Sequence, residues 1–361
     1  MNIYKKLFKI YNNYKYKKGE CNEKIFEKKG VSLSAKVYFI DALGSMAFGL
    51  FATLLVGTIL NTIGENLGIE FLSKTIWPLA QEATGPAIAV SIAYALGADR
   101  MILFSSTMVG LAANKLGGPM GVFIATLIAV EVSKLVSKQT KIDIVITPIV
   151  TVLVGVFIAN LVGPFISSIM KNIGLIIIEA TKQRPLIMGA IVSVIVGLVL
   201  TFPISSAAIC MTIGLSGLAA GAATVGCSTQ MIGFAIISYR ENKMEGLIAQ
   251  GLGTSMLQIP NIMKNPKILI PPTLASAILG PISTVVFKLE NNPIGAGMGT
   301  CGLVGQISTF TEMSSRPFLT LLFEILLMHV ILPALVTYII YYFVKKLGLI
   351  KDGDMKLDFS K

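Results

Sequence analysis

The stretch "FKLENNPIGAGMGTCGLVGQ", Phe287 to Gln306, carries five glycines, one glutamate and two adjacent asparagines. Within it, Gly297 to Gly302 spells GxGxxG, a spacing that is typical of dinucleotide-binding loops. Such a loop requires a strand before the first glycine and a soluble βαβ unit around it. The meaning of these glycines therefore depends on the sequence that surrounds them.

The composition of the chain indicates an integral membrane protein. Hydrophobic residues make up 54% of the 361 residues, charged residues make up 14%, and the mean hydropathy is +0.76, far from the averages of soluble domains. A helix needs about 20 apolar residues to cross the hydrocarbon. The runs that reach or approach this length are Val37–Leu60, Gly121–Val136, Ile144–Val162, Leu186–Pro203, Ala207–Val225, Ile268–Phe287 and Phe318–Val344.

Shorter apolar pieces raise the expected number of membrane segments. They lie at Gly85–Leu96, Met101–Ala113 and Thr229–Ile237. Because only helices or closed barrels satisfy the backbone in lipid, we predict an all-α, polytopic membrane protein with about ten membrane segments, some of them broken or re-entrant.

Both ends of the chain are basic. Residues 1–36 hold ten lysines against three glutamates, and residues 345–361 hold five lysines against three aspartates. Short lysine-rich flanks are retained in the cytoplasm, so we expect both termini there and an even number of complete spans in the cell membrane. The predicted organisation is a basic cytoplasmic segment at 1–36, a transmembrane domain at 37–344 and a cytoplasmic tail at 345–361.

The basic N-terminal segment could also indicate nucleic-acid binding. Residues 1–36 are too few to build a helix-turn-helix domain with its own core. Their interleaved lysines, tyrosines and phenylalanines fit a helix on an anionic membrane surface better. We therefore expect contact with membrane lipid and no direct DNA binding.

The sequence offers little for metal, redox or catalytic chemistry. Cys21, Cys210, Cys227 and Cys301 form no CxxC pair, and His329 is the single histidine. Zinc sites and redox motifs need such pairs or nearby histidines. No set of nucleophile, base and orienting group can be assembled either. The sequence therefore predicts no cofactor, no metal site and no intrinsic enzymatic activity.

The glycine-rich stretch is interpreted as a re-entrant segment. The run before it, Ile268–Phe287, predicts a membrane helix and not a strand, and the chain has no P-loop signature. Irregular backbone at membrane depth is tolerated where protein covers it or where it lines a watery cavity, and glycine lets that backbone approach a solute. The alternative is an exposed connecting loop. The predicted ligands of a polar solute are Glu290, Asn291, Asn292, Gly297 and Gly299.

Glycines and prolines interrupt the apolar sequence at two places in each half of the chain. The interruptions are Gln81–Val90, Asn114–Val122, Gly251–Pro260 and Asn291–Gly299. Such pairs indicate a duplicated transporter whose broken helices meet near the middle of the membrane. Gln81 and Glu82 precede the first Gly-Pro pair, and we expect them to line the other half of the solute cavity.

Four stretches of the chain resemble the phosphotransferase-system EIIC type 2 family, a group that includes the perfringolysin O regulator proteins. The resemblance covers nearly the whole chain after residue 33. The stretches are "SAKVYFIDALGSMAFGLFATLLVGTI" (34–59), "QEATGPAIAVSIAYALGA" (81–98), "NKLGGPMGVFIA" (114–125) and "NNPIGAGMGTCGLVGQI" (291–307).

This resemblance implies an EIIC-like fold, a homodimer and helical hairpins around a solute site. It also implies separate phosphotransferase IIB and IIA partners, because no part of this chain could be a phosphoryl-carrying IIB domain. Two functions remain open. One is the binding and translocation or sensing of a small polar solute, with sugars as candidates. The other is non-transporting, positive regulation of toxin-gene transcription from the membrane.

Overall fold

The computed structural model describes Val31, Ser34 and residues 36–358, and every regular element in this part of the chain is helical. The predicted N-terminal segment lies outside the described residues apart from Val31, Ser34 and Lys36, and so do the last three residues of the tail. The helices are α1 (37–67), α2 (71–95), α3 (Arg100–Val136), α4 (Asp143–Thr181), α5 (Pro185–Thr201), α6 (Ser206–Thr212), α7 (Gly217–Ile237), α8 (239–253), α9 (255–264), α10 (Pro266–Phe287), α11 (Pro293–Ala296), α12 (301–312) and α13 (Phe318–Lys346).

Six helices among the described residues are long and apolar enough to cross a membrane. They are α1, α3, α4, α7, α10 and α13, and α5 is a shorter apolar helix. The prediction of an all-α, polytopic membrane protein is therefore confirmed. The number of about ten membrane segments stays a prediction.

Helix α3 is a hairpin of two antiparallel arms and not one long rod. Its backbone leaves the helical region at Gly118, where φ is 57° and ψ is −158°. Asp99 at the start of the first arm accepts hydrogen bonds from Ser137 Oγ (2.8 Å) and Lys138 Nζ (2.7 Å) beyond the end of the second. Each arm is about 18 residues, or roughly 27 Å, long. The pieces predicted as separate segments, Met101–Ala113 and Gly121–Val136, are these two arms.

Two local predictions are wrong. The expected interruption at Gln81–Val90 is absent, because the helical segment Trp77–Ala95 runs through this stretch with Pro86 inside it. The predicted span Ala207–Val225 is divided between α6 and α7, since the chain turns through Gly214 and Gly217, both with positive φ. Apolar periodicity does not reveal where such a run reverses.

Small residues allow the helices to cross at short distances. Gly85 of α2 lies against the backbone of Gly110 in α3, and Gly189 of α5 lies against that of Gly280 in α10. Gly226 of α7 packs in the same way against Ser193 of α5. Membrane helices associate through this kind of close packing, because lipid provides no hydrophobic drive between them.

The first and second halves of the chain share a core. Buried residues of α1 to α3 form a cluster that also includes Met231, Met256, Leu257 and Cys301 from the second half. The start of α1 contacts α9, where a Cβ on Gly44 would lie 2.9 Å from Cγ of Pro260. The second half of the chain therefore packs against α1 and shares a core with the first half.

Candidate functional site

Residues 288–313 form a hairpin, here named hairpin A, that enters the helix bundle and leaves it on the same side. At its entrance Gly217 N donates to Asn291 O (2.9 Å) and Asn291 N donates to Gly217 O (3.2 Å). Its last residue, Met313, lies beside this entrance, because Sδ of Met313 is 3.2 Å from the backbone nitrogen of Glu290. Both ends of hairpin A thus lie at the N-terminal end of α7.

The descending arm of hairpin A follows α7 into the bundle. Cys227 Sγ contacts Ala296 O at 3.7 Å, and deeper in, Thr300 Oγ1 contacts Sδ of Met231 at 3.5 Å. Met231 lies 14 residues beyond Gly217, which corresponds to about 21 Å along the helix axis. The tip of hairpin A therefore lies deep inside the bundle, and the segment is re-entrant.

Asn291 holds the two arms of hairpin A together and ties them to α7. Its side chain is fully buried, and Nδ2 lies 2.7 Å from Thr224 Oγ1, 3.0 Å from Gly305 O and 3.0 Å from Thr309 Oγ1. Its Oδ1 accepts a hydrogen bond from Asn292 N at 2.8 Å. The hydrogen-bonding capacity of this amide is used within the protein.

A second hairpin, residues 244–264, enters from the other end of α7 and is named hairpin B. It follows a reversal at Lys243, where φ is 52° and ψ is −150°. Gln250 in its first arm donates to Ser238 Oγ (2.9 Å) and accepts from Gln258 Nε2 in its second arm (2.9 Å). The chain reverses between these two glutamines, where Thr254 is extended.

The tips of the two hairpins meet inside the bundle. Thr300 Oγ1 of hairpin A donates to Gly251 O of hairpin B at 2.5 Å. Because hairpin A enters at the N-terminal end of α7 and hairpin B at its C-terminal end, the tips approach each other from opposite sides. This arrangement places the irregular backbone of both tips against protein, which satisfies it at membrane depth.

The middle of α1 covers both tips. Phe51 contacts Gly253 of hairpin B, and a Cβ on Gly302 of hairpin A would lie 3.2 Å from Cγ1 of Ile59. Between these contacts the segment Phe51–Leu55 is a π-helical turn. Such turns are frequent at functional sites.

A cluster of polar side chains lies beside the tip of hairpin B, and we name it the tip cluster. Helix α5 ends there at Thr201, whose Oγ1 is 2.9 Å from Ser255 Oγ and 3.3 Å from Gln230 Oε1. Gln230 Nε2 donates to Thr273 Oγ1 of α10 at 3.3 Å. Thr201, Gln230 and Ser255 are fully buried. Hydroxyl and amide groups both donate and accept, which suits a solute with many hydroxyls.

Two of the predicted ligands lie at the entrance of hairpin A. Glu290 is exposed, and its side chain makes no hydrogen bond among the described residues. Asn292 caps the short helix α11, because its Oδ1 accepts from Ile294 N (3.1 Å) and Gly295 N (2.9 Å). Together with buried Asn291, these residues lie at the entrance of hairpin A and far from its tip.

The predicted glycines serve close packing in hairpin A. A Cβ on Gly297 would lie 2.5 Å from the backbone nitrogen of Ala207 in α6, and a Cβ on Gly299 would lie 2.6 Å from Cβ of Cys227 in α7. Gly299 also has a φ of 55°, which side chains rarely adopt. Ser206 Oγ donates to Gly297 O at 2.6 Å. These contacts press the descending arm against two helices.

Gln81 and Glu82 lie apart from hairpin A. They are exposed residues of α2, which packs against α1 and α3. Neither side chain makes a hydrogen bond among the described residues. The structure therefore groups Glu290 to Gly299 in one hairpin and leaves Gln81 and Glu82 on a separate helix.

Arg316 closes the entrance of hairpin A on the outside. Its guanidinium donates to the carbonyl oxygens of Phe287 (3.0 Å) and Lys288 (3.1 Å), and it forms a 2.7 Å ion pair with Glu324 of α13. The bridge links the two ends of the hairpin to the last membrane helix. It leaves the neighbouring Glu290 carboxylate outside this network.

Sequence reasoning missed a buried polar pair that joins hairpin A to α13. Gln306 Nε2 and Nδ1 of His329 lie 3.2 Å apart, and both side chains are buried. Gln306 Oε1 and His329 Nε2 have no hydrogen-bond partner among the described residues, and the same holds for the buried hydroxyl of Ser228 on α7. Polar residues inside apolar runs were the available signal for these positions and for the tip cluster.

Two re-entrant hairpins that meet inside a bundle of apolar helices define a polytopic membrane protein. The model of the family described as "Phosphotransferase system, EIIC" matches residues 40–357. The chain therefore belongs to this family, as its sequence predicted. Comparison with the curated proteins and with the solved structures gave no significant match.

Proposed function

We propose that the protein binds a small polar solute, of which sugars are the first candidates, between the tips of hairpins A and B and carries it across the membrane. The observation that carries this proposal is the meeting of the two tips, joined by Thr300 and Gly251, beside the buried tip cluster. Membership of the phosphotransferase EIIC family supports a permease component. Broken helices at mid-membrane are the usual setting of transporter sites.

The proposed cycle opens one hairpin at a time. Hairpin A enters at one end of α7 and hairpin B at the other, so movement of either would connect the tip cluster to one side of the membrane only. In this arrangement Thr201, Gln230 and Ser255 of the tip cluster are fully buried, which corresponds to a state closed to both sides. If the two hairpins opened in turn, the solute would enter the tip cluster from one side of the membrane and leave it toward the other.

Residues on the proposed path have different roles. Thr201, Gln230 and Ser255 would donate to and accept from solute hydroxyls at the centre. Glu290, exposed at the entrance of hairpin A, would be the first charged group that a solute meets. Asn291, Asn292 and the glycines at 297 and 299 would hold the hairpin in shape, and a role for Gln81 and Glu82 requires a state in which α2 contacts the path.

We further propose that both termini are cytoplasmic, that the protein is a homodimer and that IIB and IIA proteins are its separate partners. The base of hairpin B, the start of α1 and the tail lie at one end of the bundle. Arg240, Lys243, Lys264 and Lys267 are at this end, and positive residues accumulate on the cytoplasmic side.

The test is uptake by membrane vesicles that contain the protein. Labelled hexoses and disaccharides should be screened, with and without a phosphoryl-donating extract. Gln230→Leu should abolish uptake of the accepted sugar, because it removes both hydrogen-bonding groups at the centre of the tip cluster. Uptake by Gln230→Leu at the parent rate would exclude this site.

A non-transporting regulator of transcription is the second candidate. One observation favours it: the C-terminal tail is hydrogen-bonded to hairpin B, so the position of the hairpin is linked to a surface at the proposed cytoplasmic end. A change in target transcripts on deletion of the gene, with no uptake of any solute in vesicles, would support this reading over transport.

A further inference from the structure

The tail beyond α13 folds back across the base of hairpin B. After Lys346 the chain turns at Gly348 (φ 72°) and Gly353 (φ 93°), both in the left-handed region that glycine adopts at little cost. Residues 349–357 then lie over the open end of the hairpin. We name this segment the strap.

One set of hydrogen bonds joins the strap to the two residues before the Lys243 turn, which connect α7 to hairpin B. The Glu241 carboxylate accepts from the backbone nitrogens of Gly353 and Met355, both at 2.9 Å. Asn242 next to it accepts from Leu357 N (2.7 Å) and donates to Met355 O (2.9 Å). Two consecutive side chains before the Lys243 turn thereby hold alternate residues of the strap.

A second set joins the strap to the returning arm of hairpin B. Gln258 Nε2 donates to Met355 O at 3.0 Å, and Asn261 Nδ2 donates to Lys356 O at 2.9 Å. At the end of the arm, Asn265 Nδ2 contacts Leu349 O (3.1 Å) and Asp354 Oδ2 (2.7 Å). The strap thus bonds both to the segment before the Lys243 turn and to the returning arm of hairpin B.

Apolar contacts anchor the strap as well. Met355 is fully buried, and Ile350 is 2% exposed. Both belong to a buried cluster with Phe234 and Ile237 of α7 and Tyr341 of α13. The strap cannot leave this position without exposing apolar surface to water. Its contacts with α7 and α13 are therefore part of the folded core.

We propose that the strap is a restraint that holds hairpin B in its closed position, and that its release is the step that opens the hairpin toward the side of the tail. Hairpin B cannot swing away from α7 as a unit while the strap bridges Asn242, just before the hairpin, to Gln258 and Asn261 on its returning arm. This inference concerns the motion of hairpin B and does not depend on solute binding.

The test is amide hydrogen exchange of the full-length protein in lipid nanodiscs. Glu241→Ala removes two strap contacts and nothing else among the described hydrogen bonds of that side chain. Glu245→Ala is the matched control, because Glu245 is exposed just after the Lys243 turn and makes no described hydrogen bond. We expect Glu241→Ala to speed exchange at residues 246–258 about tenfold or more, with no change at residues 292–312 of hairpin A and no effect of Glu245→Ala.

Two outcomes would overturn the inference. Unchanged exchange in hairpin B, both in Glu241→Ala and in a chain that ends after Gly348, would show that the strap does not restrain it. Faster exchange throughout α1, α7 and hairpin A would show that the tail supports the whole fold instead. Should the shortened chain fail to fold, Leu357→Pro provides a second point variant, because it removes the N–H that donates to Asn242.

Discussion

Asn291→Asp is the sharpest perturbation of hairpin A. The substitution keeps the shape of the side chain but replaces the donor Nδ2 by an oxygen that faces three acceptors, Thr224 Oγ1, Gly305 O and Thr309 Oγ1. An amide nitrogen carries two hydrogens, so about two hydrogen bonds are lost, at roughly 1 kcal/mol each. A buried, unpaired carboxylate adds several kcal/mol more or takes up a proton. We expect a loss of at least about 3 kcal/mol in the free energy of unfolding.

The assay is thermal unfolding of the detergent-solubilised protein, followed by intrinsic fluorescence. Asn292→Asp is the matched control, because the same change at the adjacent residue preserves the acceptor oxygen that caps α11, and aspartate caps as well as asparagine. Asn291→Asp should lower the midpoint by several degrees and Asn292→Asp should leave it near that of the parent. Equal midpoints for all three proteins would refute the assignment of Asn291 as the residue that holds the hairpin.

The remaining predictions concern the entrance, the tip and the tail. Glu290→Gln should leave the unfolding midpoint unchanged and weaken solute binding or the downstream response; a parental response would remove Glu290 from the solute path. Gly299→Val should lower the yield of folded protein, because its Cβ meets α7 and its φ is positive; normal yield by size-exclusion chromatography would contradict this. Cys301 is 1% exposed, so a membrane-impermeant maleimide should label it only slowly in the resting protein, and rapid labelling would show that the stretch is an open loop. A hydrogen bond and the charge of Lys345 lower the pKa of Asp352, so this contribution to stability is present above about pH 4 and is lost as the pH falls through the lowered pKa; Asp352→Asn should flatten the acid side of the curve of midpoint against pH, and an unchanged curve would contradict the pairing.

Composition and glycine placement predicted much of the fold. The long apolar runs became helices, because a chain in lipid must satisfy its backbone internally. Three of the four glycine and proline interruptions mark reversals: Gly118 in α3, the tip of hairpin B near Thr254, and hairpin A itself. The fourth, around Pro86, is a continuous helix, since the break that one proline makes in the hydrogen-bond ladder is local.

Other features left no trace in the sequence pattern. Hairpin B follows a reversal at Lys243, a non-glycine residue with positive φ, and no turn signature in the sequence predicts it. The tip cluster joins α5, α7, α9 and α10, and contacts between elements so distant along the chain do not appear in periodicity. Asn291 shows the same limit: its position inside an apolar region was predicted, but its three partners fix it as a residue that holds the hairpin.

A structure of the protein in nanodiscs with the sugar accepted in the uptake screen tests the central claim most directly. The account predicts density for the sugar between the two hairpin tips, within hydrogen-bond distance of Gln230 and of Thr201 or Ser255. Density for the sugar on the outer face of α2, or at the entrance of hairpin A with the tip cluster unchanged, would contradict it.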